Sequence, residues 1–596
     1  MSCEPALPPA LPSMVRLLRL GYQHEPGLLG AAFGLTLLAA LPDALIALWL
    51  KLLGEGVQHR DRATLLVAGL GLGLSTTATW LLRTVSTRVQ RRFRDKVSIA
   101  LESHVARLQA GVTTIAHQER PDLLDRLSVL RNQVFVLDHM YMSVFSTAGW
   151  VLRLAVTVAL LVSIHPALAL LVLFAAPTVL TSTWRPGIER AAEERAATHD
   201  RLAKHLFTTA TTAGPGKEVR VTGIGPRLAQ QRRATWEQWY VPVAAARWGS
   251  ALWHTASWTV FGLAYVGGIV FVSSGLHRSA GDVLLVLAAG ARLSSYIGAT
   301  VGEIGFLRGI WLDGSRRLAW LETYAAALVA DADTPVPSRL TDGIRLDGVS
   351  FAYPGTERLV LDGVTVRLPA GAVVAVVGEN GAGKSTLVKL LCKLYEPTSG
   401  SIVVDGAPLT RMDADEWRDR VAGAFQDFVR FEFRAQQSVG LGDVPRIDDV
   451  PAVARAVDRA GARDVVARLQ QGLDTQLGAT WPEGVDLSFG QWQKLALARG
   501  FMRDDPLLLV LDEPTAALDA ETEHALFERY AEVARQSRAT GRITVLVSHR
   551  FSTVRMADLI VVLDGSRVVE IGTHEQLVDR AGTYAELYGI QAAAYR

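Results

Sequence analysis

Apolar residues form long unbroken runs in the first half of the chain and short runs in the second half. A run of about 20 apolar helical residues spans the roughly 30 Å hydrocarbon core of a bilayer. Six runs reach this length, near residues 27–53, 64–83, 143–164, 166–185, 250–275 and 282–308. The pattern therefore predicts a transmembrane domain of six helices over residues 27–325. Residues 1–26 contain the run LPSMVRLLRLGY, whose spacing is typical of a short amphipathic helix on the membrane surface.

The links between these runs differ in length and charge. The links 54–63, 165 and 276–281 are short, whereas 84–142 and 186–249 are long, rich in arginine and helical in pattern. Because basic residues mark the cytosolic side of a membrane protein, both long links and both termini are predicted to be cytosolic. We expect a multi-pass protein of a bacterial plasma membrane. The basic run RTVSTRVQRRFRDK is anchored beside a span, and a net charge of +2 does not indicate nucleic acid as a partner.

Ionisable and polar residues interrupt three of the predicted spans. Asp43 lies within span one and Arg153 within span three. Charged groups at this depth are costly in lipid and face a bundle interior or a wet cavity. At 100° per residue, one side of span six collects five polar residues: Arg292, Ser295, Tyr296, Thr300 and Glu303. Either a structural network or a polar lining of a translocation path explains these positions.

The pattern changes after about residue 325. Residues 326–344 are rich in Pro, Asp and Thr and indicate a linker. In residues 345–596 short apolar runs alternate with helical ones, which predicts an α/β domain. A mean hydropathy of +0.21 with 20% charged residues agrees with a membrane domain and a water-soluble domain in one chain. The predicted fold class is an α-helical membrane bundle followed by an α/β domain.

The stretch VVAVVGENGAGKSTLVKLL places the pattern G-x-x-x-x-G-K-S between a strand and a helix. The backbone N–H groups of such a loop surround phosphate oxygens, and the helix N-terminus adds positive potential. Lys384 is expected to contact the β- and γ-phosphates of ATP, and Ser385 to bind Mg²⁺. The candidate nucleotide-binding residues of this loop are Gly378, Asn380, Gly381, Ala382, Gly383, Lys384, Ser385 and Thr386.

A second apolar strand, LLLVLDEP, ends in two carboxylates. Asp512 is placed to hold Mg²⁺, and Glu513 is placed to polarise an attacking water. Next to a P-loop, these two acids predict ATP hydrolysis. The predicted fold class of the second domain is therefore an α/β P-loop NTPase cassette domain.

From about residue 345 onward the chain resembles the ATP-binding cassette of the ABC transporter superfamily, and its front half resembles the exporter-type membrane domain. Four further motifs occur in the family's order: FAYPG, AFQDF, AALD and LVSHR. The resemblance implies that Tyr353 stacks on adenine, that Gln426 contacts Mg²⁺ and water, and that Asp519 lies in the loop between paired cassettes. It also implies that His549 contacts the γ-phosphate. ATP and Mg²⁺ are the implied cofactors, with Glu513, His549, Gln426 and Lys384 as catalytic residues.

The stretch LSFGQ resembles the signature motif that closes over ATP held by a partner cassette. Ser488, Gly490 and Gln491 are kept, and Phe489 replaces a glycine. One cassette and six spans are half of what the family needs, so the resemblance implies a dimer. Both a homodimer and a heterodimer are open, and Phe489 slightly favours a heterodimer with one altered site.

The implied function is ATP-driven export, in which paired cassettes switch the membrane domain between inward-facing and outward-facing states. Residues 113–127 and 214–225 resemble the two coupling helices that transmit this switch. The cargo could be a peptide, natural product, drug or lipid. The alternatives are an importer of siderophore type on the same fold and a subunit whose ATP site is largely regulatory.

Overall fold

The structure, a computed structural model, describes residues 7–307, 312–328, 332–513, 541–548 and 554–594. The chain forms two compact units. The first comprises Met1–Ala110 and Arg126–Thr323, and the second comprises Gly111–Asp125 and Tyr324–Arg596. The segment 111–125, assigned by sequence to the transmembrane domain, thus groups with the cassette.

The first unit is helical. In chain order the helices of this part of the chain are α1 (Ala10–His24), α2 (Pro26–His59), α3 (Arg62–Ala110), α4 (Ala116–Glu119), α5 (Pro121–Ile164), α6 (Leu170–Phe174), α7 (Ala176–Thr211), α8 (Gly216–Thr222), α9 (Gly225–Val270), α10 (Ala280–Phe306) and α11 (Leu312–Ala327). Three of these helices lie in or reach into the second unit: α4 lies in it, α5 begins in it and α11 ends in it. Within the described residues, six helical stretches are long and apolar enough to cross a membrane. Five predicted spans fall wholly within these stretches, and the sixth, 282–308, overlaps Ala280–Gly305 but extends past its end, with residue 308 outside the described residues. The predicted fold of this half is confirmed.

The helices extend well beyond the predicted spans. Helix α3 has 49 residues, which at about 1.5 Å per residue is more than twice the thickness of a bilayer core. Hydropathy detects only the apolar part of a helix. In the sequence, the polar part of α3 that follows the span therefore has the pattern of a charged link.

Two predicted spans contain breaks in the helix. The span at 166–185 begins with a 3₁₀ turn and is interrupted between Phe174 and Ala176. Pro177 follows at the start of α7, where its missing N–H costs nothing. The span at 250–275 ends in a π-helical turn over Phe271–Gly275.

The predicted surface helix is α1. Its buried residues, Ser13, Leu17 and Gly21, recur every four positions and form one face. The ring of Tyr141 covers Gly21 so closely that a Cβ there would lie 2.6 Å from Cε1. The Tyr141 hydroxyl donates a hydrogen bond to the Leu17 carbonyl. This contact fixes α1 to α5.

The second unit is an α/β domain with two sheets. Its strands are β1 (Gly343–Ala352), β2 (Leu359–Pro369), β3 (Val373–Gly378), β4 (Ser399–Val404), β5 (Ala407–Pro408), β6 (Val421–Ala424), β7 (Leu508–Asp512), β8 (Ile543–Val547), β9 (Leu559–Asp564) and β10 (Arg567–Gly572). Its further helices are α12 (Lys384–Leu391), α13 (Ala414–Asp419), α14 (Ala435–Gly440), α15 (Val450–Arg459), α16 (Arg463–Ala467), α17 (Phe489–Gly500), α18 (His574–Asp579) and α19 (Thr583–Ala594).

The larger sheet has the strand order β10-β9-β3-β8-β7-β6. Strands β9, β3, β8, β7 and β6 are parallel, and β10 is an antiparallel edge. Strands β7 and β8 are buried at every position, as expected for parallel strands covered on both faces. The smaller sheet, β2-β1-β4-β5, is antiparallel. The predicted α/β cassette is confirmed.

Candidate nucleotide-binding site

Three loops of the larger sheet meet at the carboxyl ends of its parallel strands. The loop after β3 runs into α12, Gln426 follows β6, and Glu513 follows β7. Ligands of open α/β sheets bind at this edge. A cavity of about 560 Å³ opens there, lined by Val360, Asn380, Gly381, Gly383, Lys384, Ser385, Thr386, Gln426 and Glu513.

The loop after β3 depends on its glycines. Gly378 has φ +155° and Gly383 has φ +102°, values that side-chain-bearing residues rarely adopt. A Cβ at Gly378 would lie 2.2 Å from the Leu563 carbonyl oxygen, and one at Gly383 would lie 2.8 Å from the Val360 carbonyl oxygen. The loop therefore follows the neighbouring backbone closely. Ala382 is buried and is not among the residues that line the cavity.

Lys384 bends back over the loop. Its Nζ donates to the carbonyl oxygens of Gly378 at 2.9 Å and Glu379 at 2.8 Å. Burial lowers the pKa of Lys384, while Glu513 and Asp512 oppose that change. The ammonium group is thus held inside the loop where phosphate oxygens would lie.

The side chains beside Lys384 fit a magnesium ion. Asp512 is 5% exposed, and its Oδ1 has no hydrogen-bond partner. Burial raises the pKa of this carboxyl, and a hydrogen bond with Ser385 acts against that rise. A buried carboxylate oxygen without a partner is costly, and Mg²⁺ takes one or two carboxylates together with phosphate oxygens and water. Asp512, Ser385 and Gln426 could hold the ion.

Gln426 and Glu513 are joined directly. Nε2 of Gln426 donates to Oε2 of Glu513 at 2.7 Å. Glu513 has φ +46°, and its backbone N–H donates to the Val547 carbonyl at 2.9 Å. A non-glycine residue in this backbone region is uncommon and is found at functional sites. The bond orients the carboxylate toward the cavity that both residues line.

Tyr353 is near the cavity but does not line it. Its hydroxyl lies 3.0 Å from Oγ1 of Thr386, and its ring packs edge-on against Phe351 and Tyr395 at centroid distances of 5.1 and 5.5 Å. Stacking of this ring on adenine stays a prediction.

The LSFGQ motif forms the start of α17. Ser488 is the N-cap, its Oγ accepts from the Gln491 N–H, and Oε1 of Gln491 accepts from the Ser488 N–H. This reciprocal pair is a capping box, so both side chains have a structural use within one chain. Gly490 is the second residue of the helix, and half of the Phe489 side chain is exposed.

The first segment that resembles a coupling helix docks on the cassette. Within the segment 113–127 the structure gives a four-residue helix, α4, followed by the start of α5 at Pro121. Lys389 donates to Oε1 of Glu119 at 2.8 Å, and the Tyr395 hydroxyl donates to Oε2. The Ile115 N–H donates to the Leu394 carbonyl at 3.2 Å. Because Lys389 also lies 5.3 Å from the Tyr353 ring centroid, Glu119 is two contacts from that ring. The segment 214–225 contains α8, which lies in the first unit and has no buried residue.

The ionisable residues of the spans bind one another. Asp43 accepts from Arg153 Nε at 3.0 Å, from Arg292 at 3.0 Å and from the Tyr296 hydroxyl at 3.0 Å. The network connects α2, α5 and α10. Elsewhere on the predicted polar face, Ser143 donates to Glu303 at 2.8 Å, and the Ser295 and Thr300 hydroxyls bond backbone carbonyls of their own helix. Because these charged and polar side chains hydrogen-bond to one another, a structural network explains their positions better than a lining for cargo does.

Sequence reasoning missed several contacts. Nothing in the sequence marks Val360 as a lining residue, and the partners of Glu119 lie far away in the chain. His549 and Asp519, which were predicted as site residues, lie outside the described residues.

The fold and the site are those of a P-loop NTPase cassette, which follows six membrane-length apolar helices along the chain. The family model described as ABC transporter matches residues 361–516. A solved structure of a bacterial Atm1-family ABC exporter with ATP bound superposes with a TM-score of 0.72 at 23% identity, covering 95% of this chain and 98% of that chain. The chain thus shares the overall fold of that exporter structure.

Curated relatives match over part of their length. An ATP-dependent lipid A-core flippase of Ralstonia nicotianae is 41% identical over 271 residues, which cover 44% of each chain. A protein of the same name from Alkalilimnicola ehrlichii is 35% identical over 338 residues, 55% of each chain. The aligned part of this chain therefore spans only about half the length of these relatives.

Proposed function

We propose that this chain is a half-transporter of the ABC exporter type. Two such chains pair and use ATP to export an amphipathic, lipid-like cargo across a bacterial inner membrane. The observation that carries this proposal is the Gln426–Glu513 pair, which lines the P-loop cavity in a chain with six apolar helices. An intact acid at the end of β7 is what hydrolysis requires, whereas a regulatory ATP site would not need it.

The proposed chemistry assigns each residue one task. Lys384 neutralises charge on the β- and γ-phosphates, and the loop N–H groups bind their oxygens. Glu513, held by Gln426, accepts a hydrogen bond from the attacking water, orients the water and takes up its proton as general base. His549 would contact the γ-phosphate. When bound through Asp512, Ser385 and Gln426, Mg²⁺ neutralises charge on the transferring phosphoryl group.

The second half of the site comes from the partner. Ser488, Gly490 and Gln491 at the start of α17 would face the γ-phosphate held by the other chain, with the helix N-terminus adding positive potential. Asp519 would lie between the paired cassettes. The comparisons do not favour a partner of different sequence, so self-pairing is the form that we propose.

The segment around Glu119 would carry cassette closure to the spans. Its contacts support this role, because Lys389 lies in α12, the helix that starts at Lys384, and Leu394 and Tyr395 lie just after the end of that helix. Both termini and the long helical links would then be cytosolic.

A lipid-like cargo is supported by the names of the curated relatives. The test is ATP-dependent movement of a fluorescent lipid across vesicles that contain the purified chain, measured by chemical quenching of the outer leaflet. Export requires the wild type to move lipid with ATP and the Glu513→Gln variant to move none. Equal movement in both would reject ATP-driven export of lipid, and uptake in the opposite direction would favour the importer alternative.

A further inference from the structure

A charged cavity of about 1130 Å³ lies at one end of the α2–α3 pair. Its lining includes Trp80, Arg83, Arg88, Arg91, Arg92 and Asp95 of α3. At 100° per residue these residues lie within about 180° of the helix circumference, so they share one half of the helix surface. Leu28, in the first turn of α2, lines the opposite wall. The cavity is therefore level with the point where α2 begins and the apolar part of α3 ends.

The arginines of this cavity differ from the basic residues beside them. Lys96 forms an ion pair with Glu25, and Arg94 lies 3.5 Å from Nε2 of His139. In the part of the chain that the structure describes, Arg83, Arg88, Arg91 and Arg92 form no ion pair or side-chain hydrogen bond. The four arginines and Asp95 together give the cavity lining a net charge of about +3. This charge favours binding of an anion.

The two helices are fixed to each other just beside the cavity. Nε2 of Gln90 donates to Oγ1 of Thr36 at 2.8 Å and to Oγ of Ser86 at 3.0 Å. The bond to Thr36 holds α2 against α3, and the bond to Ser86, within α3, fixes the Gln90 side chain. The cavity walls are therefore pre-organised, which reduces the ordering cost of a ligand.

We propose that this cavity binds the phosphate headgroup of an anionic phospholipid from the leaflet at that end of the bundle. Guanidinium groups match phosphate oxygens with paired hydrogen bonds. Trp80, which is 69% exposed, suits the boundary between headgroups and acyl chains, where amphipathic rings concentrate. Leu28 offers an apolar surface for the start of an acyl chain. The volume exceeds that of a free phosphate and fits a headgroup.

This site is independent of the nucleotide site. It lies wholly in the first unit, and none of its residues is assigned a role in ATP hydrolysis or in the proposed transport of cargo. A failure of ATP hydrolysis would therefore leave the proposal intact, and a failure of lipid binding here would leave the proposed function intact.

The experiment uses the full-length chain, purified in micelles containing phosphatidylcholine and titrated with phosphatidylglycerol, with retained lipids counted by native mass spectrometry. The test variant is Arg88→Ala/Arg91→Ala. The matched control is Arg201→Ala/Arg227→Ala, which removes two exposed arginines of α7 and α9. Attraction between a basic residue near the surface and anionic lipid predicts a loss of roughly tenfold or more in phosphatidylglycerol affinity for the test variant, and no comparable loss for the control.

Equal affinities in the test and control variants would overturn the proposal. Displacement of phosphatidylglycerol by soluble glycerol phosphate would also overturn it, because the site would then accept a free phosphate and not a lipid. If the alanine variant does not fold, the lipid preference of the wild type tests the proposal. A preference for phosphatidylglycerol over phosphatidylcholine that weakens with salt supports the proposal, and no preference contradicts it.

Discussion

The ring of Phe489 lies 5.4 Å from the ring of Phe428, measured between centroids, at an interplanar angle of 43°. The guanidinium of Arg430 lies 5.8 Å from the Phe489 centroid. The residue that interrupts the LSFGQ motif thus packs against the segment that follows Gln426 in the same chain. It joins the helix that carries the signature to the loop that carries Gln426.

Replacing Phe489 with glycine is expected to destabilise the cassette moderately and to preserve ATP hydrolysis. The change removes an aromatic pair worth about 0.5–1.5 kcal/mol and places glycine in a helix at a cost of up to about 1 kcal/mol. Thermal unfolding and ATPase rates of the full chain measure both effects. Phe489→Leu is the matched control, because it removes the ring pairing without the glycine. A strongly faster ATPase without loss of stability would contradict this account, since the ring would then be holding paired cassettes apart.

The ion pair of Glu119 with Lys389 is expected to fasten the segment 111–120 to the cassette. Burial acts to raise the pKa of Glu119, but hydrogen bonds from Lys389 and Tyr395 outweigh it, so the pKa lies below its ordinary value. A carboxylate with a lowered pKa stabilises the folded state above its unfolded pKa and loses that effect as the pH falls through the folded pKa. The contact should therefore persist across neutral pH.

Hydrogen exchange of a peptide covering residues 111–120 checks this contact. Glu119→Gln should speed its exchange modestly, by an equilibrium effect of about 1 kcal/mol or less, because both side chains are partly exposed. Glu218→Gln, in the exposed helix α8, is the control. Unchanged protection in Glu119→Gln would mean that backbone contacts such as Ile115 to Leu394 hold the segment alone.

Sequence patterns predicted what depends on local periodicity and motif spacing. Apolar runs gave the six spans. The P-loop was correctly placed between a strand and a helix, and Asp512 and Glu513 at the end of a second strand, because each of these is encoded within a short stretch. Long-range pairing was not predictable. Asp43 and Arg292 lie far apart in the chain, and both fit equally well in a network or in a cargo path until their distance is known. The contact between Phe489 and Phe428 was not predictable for the same reason. Comparison with the motif shows that Phe489 replaces a glycine, but it does not indicate where the ring packs.

Asp512→Asn is expected to stabilise the protein in the absence of nucleotide and Mg²⁺. Burial raises the pKa of Asp512 above its unfolded value of 3.8. A group with a raised pKa favours folding below the unfolded pKa, and this contribution is lost as the pH rises through the folded pKa. At neutral pH the buried charge therefore costs stability. Unfolding temperatures with a chelator should be higher for Asp512→Asn than for the wild type.

Adding Mg²⁺ and ATP should reverse that order, because a carboxylate binds the cation more strongly than a neutral amide does. Asp564→Asn, at the exposed end of β9, is the control and should follow the wild type in both conditions. If Mg²⁺ with ATP stabilised Asp512→Asn as much as the wild type, Asp512 would not belong to the metal site.

The network around Asp43 is expected to be structural. Asp43→Asn leaves Arg153 and Arg292 without their shared carboxylate, which we expect to cost roughly 3 kcal/mol of stability. The triple variant Asp43→Leu/Arg153→Met/Arg292→Met should be more stable than Asp43→Asn, because apolar groups of similar size can replace a buried ionic network. Unfolding temperatures of the purified chain in detergent give the comparison. A triple variant less stable than the single variant would contradict a structural role.

ATP hydrolysis at the Gln426–Glu513 pair by this chain alone is the central claim, and a single comparison tests it. The chain is purified, reconstituted in lipid and assayed for ATPase activity beside Glu513→Gln. Loss of a general base typically lowers a rate by about 10²–10⁴-fold, so the account predicts a clear wild-type rate that this substitution abolishes. That result would also establish that the chain pairs with itself and tolerates Phe489. A folded, ATP-binding wild type whose rate is no higher than that of Glu513→Gln would contradict the claim and point to a partner of different sequence.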